Sequence, residues 1–405
     1  MIPAIELDLI QTLAVAAFVF YAGVFLKHKV KVLDALNIPS AVIGGLLFAF
    51  IVLILRDNFV NLHFETSAQG LFNVTFFTTI GMGASILLLK RGGLQVVSFL
   101  IISTVFCVVQ NLLGLQIASW LHVNPLLGVI AGSVTLVGGP ATGLAFAPLF
   151  EQAGVAGADV VALTAATFGI ISGGIIGGPV GTWLIKRYHL KKGTSATSRS
   201  FSGDLVEWSS GTLSIDPSQE RSHFILNLLL VAICMGIGSI LSNIFQSWGW
   251  TLPAYIGAML VAAIARSIDD STGWFKIRYQ SLELIGMVSL NIFLVVALMN
   301  LKLWQLVHLA LPLSLILIAQ VVVASIFALS LVYRLMGRDY DAAVMSSGFI
   351  GFVLGTTANA VANMKTLESK YGLSPRAFLV VPMVGAFFID FTNAIIITLF
   401  LNWMK

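Results

Sequence analysis

Apolar segments of membrane-spanning length recur along almost the whole of this 405-residue chain. A helix needs roughly 20 predominantly apolar residues to cross a bilayer, and only helices and closed barrels keep their backbone hydrogen bonds satisfied in lipid. With 58% hydrophobic and 10% charged residues, the composition excludes a soluble enzyme. We therefore predict an all-α multi-pass membrane protein. Its predicted spans are residues 7–26, 38–55, 68–89, 94–121 and 158–185, followed by 224–247, 253–266, 280–300, 306–333 and 376–402.

Two other apolar segments, residues 128–150 and 342–364, are interrupted in the middle. In the first, Gly138 and Gly139 destabilise a helix, and Pro140 removes a backbone donor and clashes with the preceding turn. Backbone groups left unpaired by such a break cannot face lipid, so the break must lie against protein or a water-filled cavity. Interrupted segments at corresponding positions of two halves are typical of the binding site of a secondary transporter. We expect paired half-helices whose tips bind the substrate.

The basic residues indicate whether the interrupted segments cross the membrane or turn back. If both turn back and the N-terminus is outside, 19 of the 22 Lys and Arg residues face the cytoplasm, and only Arg56, Lys302 and Lys405 face outward. If both crossed, 9 would face inward and 13 outward. Because cytoplasmic loops carry the excess of Lys and Arg, we predict two re-entrant hairpins, the first entering from outside and the second from the cytoplasm. Both termini are then outside.

The two halves of the chain also resemble each other. Residues 38–44 (Ile-Pro-Ser-Ala-Val-Ile-Gly) echo residues 252–257 (Leu-Pro-Ala-Tyr-Ile-Gly), and Gln110 and Gln320 lie at similar depths in the two fourth spans. Five crossings per half make the repeats inverted, an architecture that places substrate and ions near the bilayer midplane. A polar stretch rich in Ser, Thr and Gly separates the halves as a flexible linker. The predicted units are residues 1–187 with a hairpin at 125–150, a cytoplasmic linker at 188–222, and residues 223–405 with a hairpin at 341–365.

Charge and cysteine content exclude several other classes of function. The net charge of +4 comes from loop residues that orient membrane helices, so we expect no nucleic-acid partner. Cys107 and Cys234 lie inside apolar spans and are interpreted as buried hydrophobes. Glu6 and Asp8 precede the first apolar run, the reverse of a cleavable signal, so we expect the first helix to be retained. No nucleophile, base and orienting group share a recognisable spacing, so we predict no catalytic residue and no cofactor beyond a coupling ion.

The hairpin tips supply the candidate substrate-binding residues. Half-helix N-termini can receive an anion, while exposed carbonyl and hydroxyl oxygens can coordinate Na⁺. The candidates are Ser133, Thr135, Gly138, Gly139, Ala141, Thr142 and Gly143 in the first hairpin, and Gly355, Thr356, Thr357, Asn359 and Asn363 in the second. The alternative is that the glycines and threonines only permit close helix packing. Both interpretations stay open for each residue taken singly.

Asp390 is the acidic residue that lies deepest in an apolar span. A charge at the bilayer centre costs roughly 2.5–3.5 kcal/mol on insertion scales, so it needs a partner. No basic residue is equally deep, which leaves a bound cation or a proton; a protonated structural aspartate is the alternative. The candidate Na⁺ ligands are Asp390, Asn393 one helical turn away, Gly355 and Thr167. Intramembrane amides, interpreted as interhelical hydrogen-bonding groups with ligand contact as the alternative, are Asn73, Gln110, Asn111, Asn291 and Gln320.

Three stretches of the second half have the pattern of a known family: residues 298–304 (Leu-Met-Asn-Leu-Lys-Leu-Trp), 340–344 (Tyr-Asp-Ala-Ala-Val) and 379–390 (Leu-Val-Val-Pro-Met-Val-Gly-Ala-Phe-Phe-Ile-Asp). They resemble the bacterial sodium/glutamate symporters, and the resemblance extends over essentially the whole chain. The tips depart from it: residues 138–143 (Gly-Gly-Pro-Ala-Thr-Gly) replace Gly-Gly-His-Gly-Thr-Gly, and residues 355–359 (Gly-Thr-Thr-Ala-Asn) replace Gly-Ala-Thr-Pro-Thr. These departures bear on substrate choice. The resemblance implies Na⁺-coupled L-glutamate uptake, a homodimer in the bacterial cytoplasmic (inner) membrane and a moving, elevator-like domain that carries the hairpins.

Energetics favours more than one Na⁺ per substrate. Carrying a monoanion inward against about 100 mV costs about 2.3 kcal/mol, and each entering Na⁺ returns about the same amount. A tenfold Na⁺ gradient adds about 1.4 kcal/mol per ion. One Na⁺ therefore leaves about 1.4 kcal/mol for accumulation, whereas two leave about 5.1 kcal/mol.

The sequence thus predicts a sodium-coupled transporter that imports L-glutamate by alternating access. The nearest alternative is a sodium-coupled dicarboxylate or hydroxycarboxylate transporter on the same scaffold, which competition with unlabelled substrates would separate. A Na⁺/H⁺ antiporter would also use a lone membrane aspartate, and proton flux without an organic substrate would identify it. A channel would show currents far above transporter turnover.

Overall fold

The computed structural model describes residues 4–35, 38–56, 59–85, 87, 93–190, 217–248, 253–306 and 309–404. In the first half the helices are α1 Leu9–Lys29, α2 Lys31–Ala35, α3 Ser40–Leu55, α4 Ser67–Gly83, α5 Gly93–Trp120, α6 Pro125–Val134, α7 Gly139–Gln152 and α8 Ala158–Arg187. In the second half they are α9 Pro217–Ser247, α10 Ala254–Thr272, α11 Tyr279–Met299, a 3₁₀ turn Leu303–Leu306, α12 Ala310–Leu335, α13 Tyr340–Leu354, α14 Thr357–Tyr371, α15 Pro375–Met383, a π-helical turn Val384–Phe388 and α16 Ile389–Trp403.

Every predicted span coincides with a helix, which confirms a mostly helical multi-pass membrane protein. Six helices of the described part are long and apolar enough to cross a bilayer: Leu9–Lys29, Gly93–Trp120, Ala158–Arg187, His223–Ser247, Tyr279–Met299 and Ala310–Leu335. Ser40–Leu55 and Ile389–Trp403 are apolar but shorter. Three boundaries differ by about six residues or more from the prediction, since α4 already ends at Gly83, α9 already begins at Pro217 and α10 continues to Thr272. Most of the predicted linker, residues 191–216, lies outside the described residues.

A small β-ribbon is the exception to the all-α prediction. Strand β1, Ala4–Leu7, pairs in parallel with strand β2, Asn61–Phe64, with Ala4 opposite Asn61. Each strand has only four residues, too few for a reliable alternation signal in the sequence. The pairing places the start of α1 beside the start of α4.

A cluster of aromatic rings joins α5, α12 and α13 in the core. The Phe106 ring centroid lies 4.7 Å from that of Phe327 and 5.3 Å from that of Phe349. Phe99 makes an edge contact with Phe349 at 6.0 Å. Such pairs contribute about 0.5–1.5 kcal/mol each beyond the area they bury. The cluster therefore fixes these three helices relative to one another beside the two interrupted segments.

Helix α8 packs closely on α13 through a row of small residues. Gly169, Gly173, Gly177 and Gly181 recur every fourth position and face the same neighbour. A Cβ atom added at Gly169 would overlap the carbonyl oxygen of Leu354. Glycines at this spacing let two membrane helices approach with their backbones nearly in contact. The packing interpretation of the small residues therefore holds for this face of α8.

Candidate functional site

The first broken segment, residues 125–152, consists of α6 and α7. Asn124 caps α6 by accepting a hydrogen bond from the Leu126 N–H at 3.0 Å, and Pro125 occupies the first helical turn, where its missing donor is not needed. The Asn124 Nδ2 group also donates to the Gly154 carbonyl oxygen at 3.3 Å. The two ends of the first broken segment therefore lie side by side.

The second broken segment, residues 340–371, consists of α13 and α14, so its second helix continues beyond the predicted end at residue 365. Asp339 caps α13 by accepting from the Ala342 N–H at 2.8 Å. The Tyr340 hydroxyl donates to the carbonyl oxygen of Gly372. The ends of this segment therefore also lie together.

The first tip, residues 132–143, bends at two places rather than one. Gly139 has the predicted break, with a φ of 67° that favours glycine. Gly132, which the sequence analysis did not single out, has φ −101° and ψ −132° inside an otherwise helical run. A Cβ at Gly132 would lie only 2.7 Å from Asn111 Oδ1. Glycine is required there because the bent backbone is pressed against α5.

Two amides from distant helices hold the bend at Ser133. Asn111 Oδ1, on α5, accepts a hydrogen bond from the Ser133 N–H at 2.9 Å. Asn393 Nδ2, on α16, donates to the Ser133 carbonyl oxygen at 2.9 Å. All three residues are fully buried. The backbone groups freed by the break are thus satisfied by side chains of the protein, as an intramembrane break requires.

The second tip, residues 355–363, is capped within its own segment. Gly355 ends α13 with φ −143° and ψ −102°. Thr356 then caps α14, its hydroxyl accepting from the Asn359 N–H at 3.4 Å. The Thr357 hydroxyl donates to the Gly385 carbonyl oxygen at 2.8 Å, which joins this tip to the π-helical turn before α16.

Two asparagines anchor the second tip on α8. Asn359 Nδ2 donates to the Ile170 carbonyl oxygen at 2.6 Å, and Asn363 Nδ2 donates to the Gly173 carbonyl oxygen at 2.9 Å. Both asparagines are buried. The structure therefore gives their amide nitrogens partners in the helix backbone.

The two tips lie next to each other. A Cβ at Gly169 of α8 would contact both Leu136 of the first tip and Leu354 at the end of α13. Helix α5 bridges them as well, because Gln110 Nε2 donates to the Val353 carbonyl oxygen at 3.1 Å while the next residue, Asn111, binds Ser133.

Asp390 lies on the last helix between its two tip contacts, Gly385 and Asn393. It is half-buried. Within the described residues its carboxylate makes no hydrogen bond or ion pair. The carboxyl group that the sequence singled out is therefore unpartnered among the described residues, on the span that contacts both tips.

The structure also shows the surroundings of three other predicted residues in the first hairpin. The Thr135 hydroxyl donates to the Ile130 carbonyl oxygen of its own segment at 2.7 Å. Gly143 faces Ala162 of α8. Thr142 is buried and follows Gly138 and Gly139 in the first turn of α7.

Several buried polar atoms around the tips have no hydrogen-bond partner among the described residues. They are Gln110 Oε1, Asn111 Nδ2, Ser133 Oγ, Thr167 Oγ1, Gln320 Oε1, Asn359 Oδ1 and Asn393 Oδ1. Buried polar groups are rarely left unpaired without a reason such as a bound ion or water. No group of three or more His, Cys, Asp or Glu residues able to hold a metal occurs in the described ranges. The free groups at the tips are thus mostly neutral oxygens, which suit a monovalent cation.

Comparison with known proteins agrees with this arrangement. A family model described as sodium/glutamate symporter matches residues 5–373. The chain is 39% identical over 400 residues to the sodium/glutamate symporter of Escherichia coli K12, with 98% of each chain covered. It is 38% identical over 390 residues to that of Haemophilus influenzae, with 95% of each chain covered. The resemblance seen in the last helix is confirmed: the chain belongs to the sodium/glutamate symporter family.

Proposed function

We propose that this protein imports L-glutamate with Na⁺ across the bacterial cytoplasmic membrane, by alternating access around the two tips. The observation that carries the proposal is the junction of both tips at Gly169, in a member of this family whose final span contacts both tips and carries Asp390 without a hydrogen-bond partner among the described residues. The curated relatives are named sodium/glutamate symporters. Half-helix ends that meet inside the protein are the usual site of substrate and ions in secondary transporters.

In this proposal both broken segments are re-entrant hairpins. The hydrogen bond from Asn124 to Gly154 and the one from Tyr340 to Gly372 support it, because each brings the two ends of a segment together. Neither segment contains a single helix as long as the roughly 20 residues needed to span a bilayer.

Contacts between the halves support the same topology. The Arg56 guanidinium lies 3.5 Å from the centroid of the Trp304 ring, and the Ser85 hydroxyl donates to Asp270. If the first broken segment crossed the bilayer, the members of each pair would lie on opposite faces, about 30 Å apart. The second broken segment has a corresponding contact, since Arg376 Nε donates to Gln95 Oε1 at 3.1 Å.

The contacts also support two repeats that exchange helices. Helix α8, the last helix of the first half, receives the second tip, and α16, the last helix of the second half, receives the first tip. Such reciprocal docking is expected of two inverted five-span repeats around one central site. The proposed orientation has both termini outside and the central linker in the cytoplasm.

Substrate and ion are assigned to adjoining parts of the junction. The proposed substrate-binding residues are Ser133, Thr135, Gly138, Gly139, Thr142, Gly143, Thr356, Thr357, Asn359 and Asn363. The proposed Na⁺ ligands are Asp390, Asn393, Gly355 and Thr167. The absence of a deep basic residue leaves half-helix N-termini to neutralise the substrate carboxylates. Asp390 without a partner in the described part of the chain supports its role as the charged ligand of a cation.

Uptake by the purified protein in liposomes tests this proposal. An inward Na⁺ gradient should drive accumulation of radiolabelled L-glutamate, whereas K⁺ or a proton gradient should not. Asp390→Asn should abolish uptake, because it removes the proposed charged ligand. Glu283→Gln makes the same chemical change at an exposed position of α11 and should leave uptake unchanged. Uptake of a dicarboxylate but not of L-glutamate by folded protein would contradict the substrate assignment.

Stoichiometry provides an independent measurement. Two Na⁺ per glutamate would leave about 5.1 kcal/mol for accumulation at 100 mV and a tenfold Na⁺ gradient. We therefore expect uptake to carry net positive charge inward. Electroneutral uptake, with one Na⁺ per L-glutamate, would contradict this part of the proposal. The proposed homodimer is measured separately, by the mass of the detergent-solubilised particle.

A further inference from the structure

A buried polar cluster surrounds the bend in the first tip. We call it the kink cluster; it consists of Gln110, Asn111, Ser133, Gln320 and Asn393, all fully buried. Gln320 Nε2 on α12 donates to the Gln110 carbonyl oxygen at 2.7 Å. That carbonyl oxygen would lie 3.1 Å from a Cβ at Gly132. The bond from Gln320 and the two bonds to Ser133 together bring side chains of α5, α12 and α16 to one bend.

The orientation of each carboxamide in the kink cluster is set by the backbone group that it binds. An N–H group needs an acceptor, so Asn111 presents its oxygen to the Ser133 N–H. A carbonyl oxygen needs a donor, so Gln320 and Asn393 present their nitrogens to the carbonyls of Gln110 and Ser133. In each of these carboxamides, the atom that does not bind the backbone is therefore known. It is the oxygen in Gln320 and Asn393, and the nitrogen in Asn111.

Four of the atoms left over are oxygens without a partner among the residues described. Gln110 Oε1 belongs to the amide that binds Val353, away from Ser133, and the other three are Ser133 Oγ, Asn393 Oδ1 and Gln320 Oε1. Asn393 Oδ1 belongs to the same carboxamide as the Nδ2 atom that donates to Ser133. Gln320 Oε1 belongs to the carboxamide whose nitrogen donates to the Gln110 carbonyl beside Gly132. The oxygens of Ser133 and Asn393 thus belong to groups at Ser133 itself, and that of Gln320 belongs to the amide bound to the Gln110 carbonyl next to Gly132. Unpaired oxygens in a dry interior are costly unless something positive satisfies them.

We propose that the kink cluster binds a Na⁺ ion through Ser133 Oγ, Asn393 Oδ1 and Gln320 Oε1. The inference rests on the proposed function and supplies the location of a second coupling ion. The cluster contains no carboxylate, so it suits a monovalent cation and not Ca²⁺ or Mg²⁺, which are bound through carboxylates in proteins. The unpaired donor, Asn111 Nδ2, matches an oxygen that completes the shell of the ion, from water or from the substrate carboxylate.

This site differs in chemistry from the one at Asp390. Asp390 brings a negative charge, whereas the kink cluster brings only neutral oxygens. Asn393 lies one helical turn from Asp390, so the two sites are adjacent. Because the Ser133 oxygen sits in the first tip itself, filling the kink cluster also fixes the shape of the tip. This links ion binding to the substrate site.

Ser133→Ala and Gln320→Met test the proposal, with Asn291→Leu as the matched control. Ser133→Ala removes an oxygen that bonds to no described residue, so a purely structural role predicts no loss of stability. Asn291 is an intramembrane amide whose nitrogen bonds its own helix at Met287. The first readout is the rise in melting temperature of purified protein in NaCl relative to choline chloride, without glutamate. The second is the Na⁺ dependence of L-glutamate uptake.

We expect Ser133→Ala and Gln320→Met to raise the half-maximal Na⁺ concentration at least tenfold in both readouts, and the Hill coefficient for Na⁺ to fall toward 1. Asn291→Leu should respond as the wild type does. Unchanged Na⁺ responses in Ser133→Ala would overturn the site and show that water fills the cluster. If the wild type takes up no L-glutamate but Na⁺ still stabilises it in a Ser133-dependent manner, the ion site stands and the substrate assignment fails.

Discussion

The two tips are built in different ways although they meet at one point. The second tip is capped within its own segment by Thr356 and docked on α8 by two asparagines, of which Asn359 keeps an unpaired Oδ1 among the described residues. The first tip depends on side chains from remote helices and leaves Ser133 Oγ and Asn111 Nδ2 unpaired in the described protein. A tip whose asparagine nitrogens bond the backbone of α8 is suited to docking. A tip whose bend carries an unpaired hydroxyl is suited to binding a ligand.

The difference teaches which part of the junction responds to ions. Changes at the second tip should lower the stability of the protein whether Na⁺ is present or not. Removing an unpaired oxygen at the first tip should act mainly on the part of the stability that depends on Na⁺. The four substitutions below test this distinction, ordered by expected effect.

Gly169→Ala should have the largest effect, because its Cβ would overlap Leu354 O where both tips meet. Overpacking of this kind costs about 1–3 kcal/mol, and we expect the upper end because a backbone atom is involved. The melting temperature of the purified protein measures it. Gly178→Ala, on the same helix but with nothing within 4 Å of the added Cβ, is the control. Equal melting temperatures for the two variants would show that the tips do not pack closely on α8.

Asn363→Leu should destabilise the second tip in NaCl and in choline chloride equally. It removes the bond to Gly173 O and puts an apolar side chain against that buried carbonyl. The lost hydrogen bond and the imperfect packing together cost about 1–3 kcal/mol. Thermal unfolding in the two salts gives the comparison. If the loss of thermal stability occurred only in NaCl, Asn363 would belong to the ion-dependent part of the junction. The proposed difference between the two tips would then be wrong.

Gly139→Ala should cost about 1–2 kcal/mol, the penalty for an L-residue in the left-handed region. Gly139 has φ 67° and open space around its missing side chain, so backbone strain acts alone. Gly70→Ala, in a helix and equally uncrowded, should stabilise the protein slightly. If Gly139→Ala left the melting temperature of the purified protein unchanged, the first tip would have to adopt another backbone conformation.

Thr357→Val should have the smallest effect, about 1 kcal/mol for one hydrogen bond. It removes the bond from Thr357 to Gly385 O without changing the shape of the side chain. Thr366→Val removes a hydroxyl that bonds its own helix at an exposed position, and should be close to neutral. The melting temperature of each purified variant measures the effect. Equal melting temperatures would show that the link between the second tip and the last helix is weak.

The helical framework was predictable because hydropathy is a local signal. Ten spans and two interrupted segments follow from runs of apolar residues and from glycine and proline within them. The four-residue strands at Ala4–Leu7 and Asn61–Phe64 were not predictable, since so short a pairing depends on the fold around it. The early end of α4 at Gly83 is likewise a boundary that hydropathy does not define.

The candidate site was predictable where a residue violates a local rule. Asp390 is a charge in an apolar helix, and residues 138–140 break an apolar run. The bend at Gly132 has no such signal, because an isolated glycine in a membrane helix is common. Asn111 and Asn393 lie 22 and 260 positions from Ser133 in the sequence, so only the folded structure brings them together.

The separation of Ser133 from Asn393 has a consequence for biosynthesis. Those 260 residues take about 13–52 s to synthesise at about 5–20 residues per second. Throughout that interval the Ser133 carbonyl has only the N–H groups of Val137 and Gly138, from its own segment, as donors and lacks the one from Asn393. The region that binds the ligands is therefore completed last. A nascent chain stalled before its final helix presents a defined, incomplete intermediate to the cell's membrane proteases.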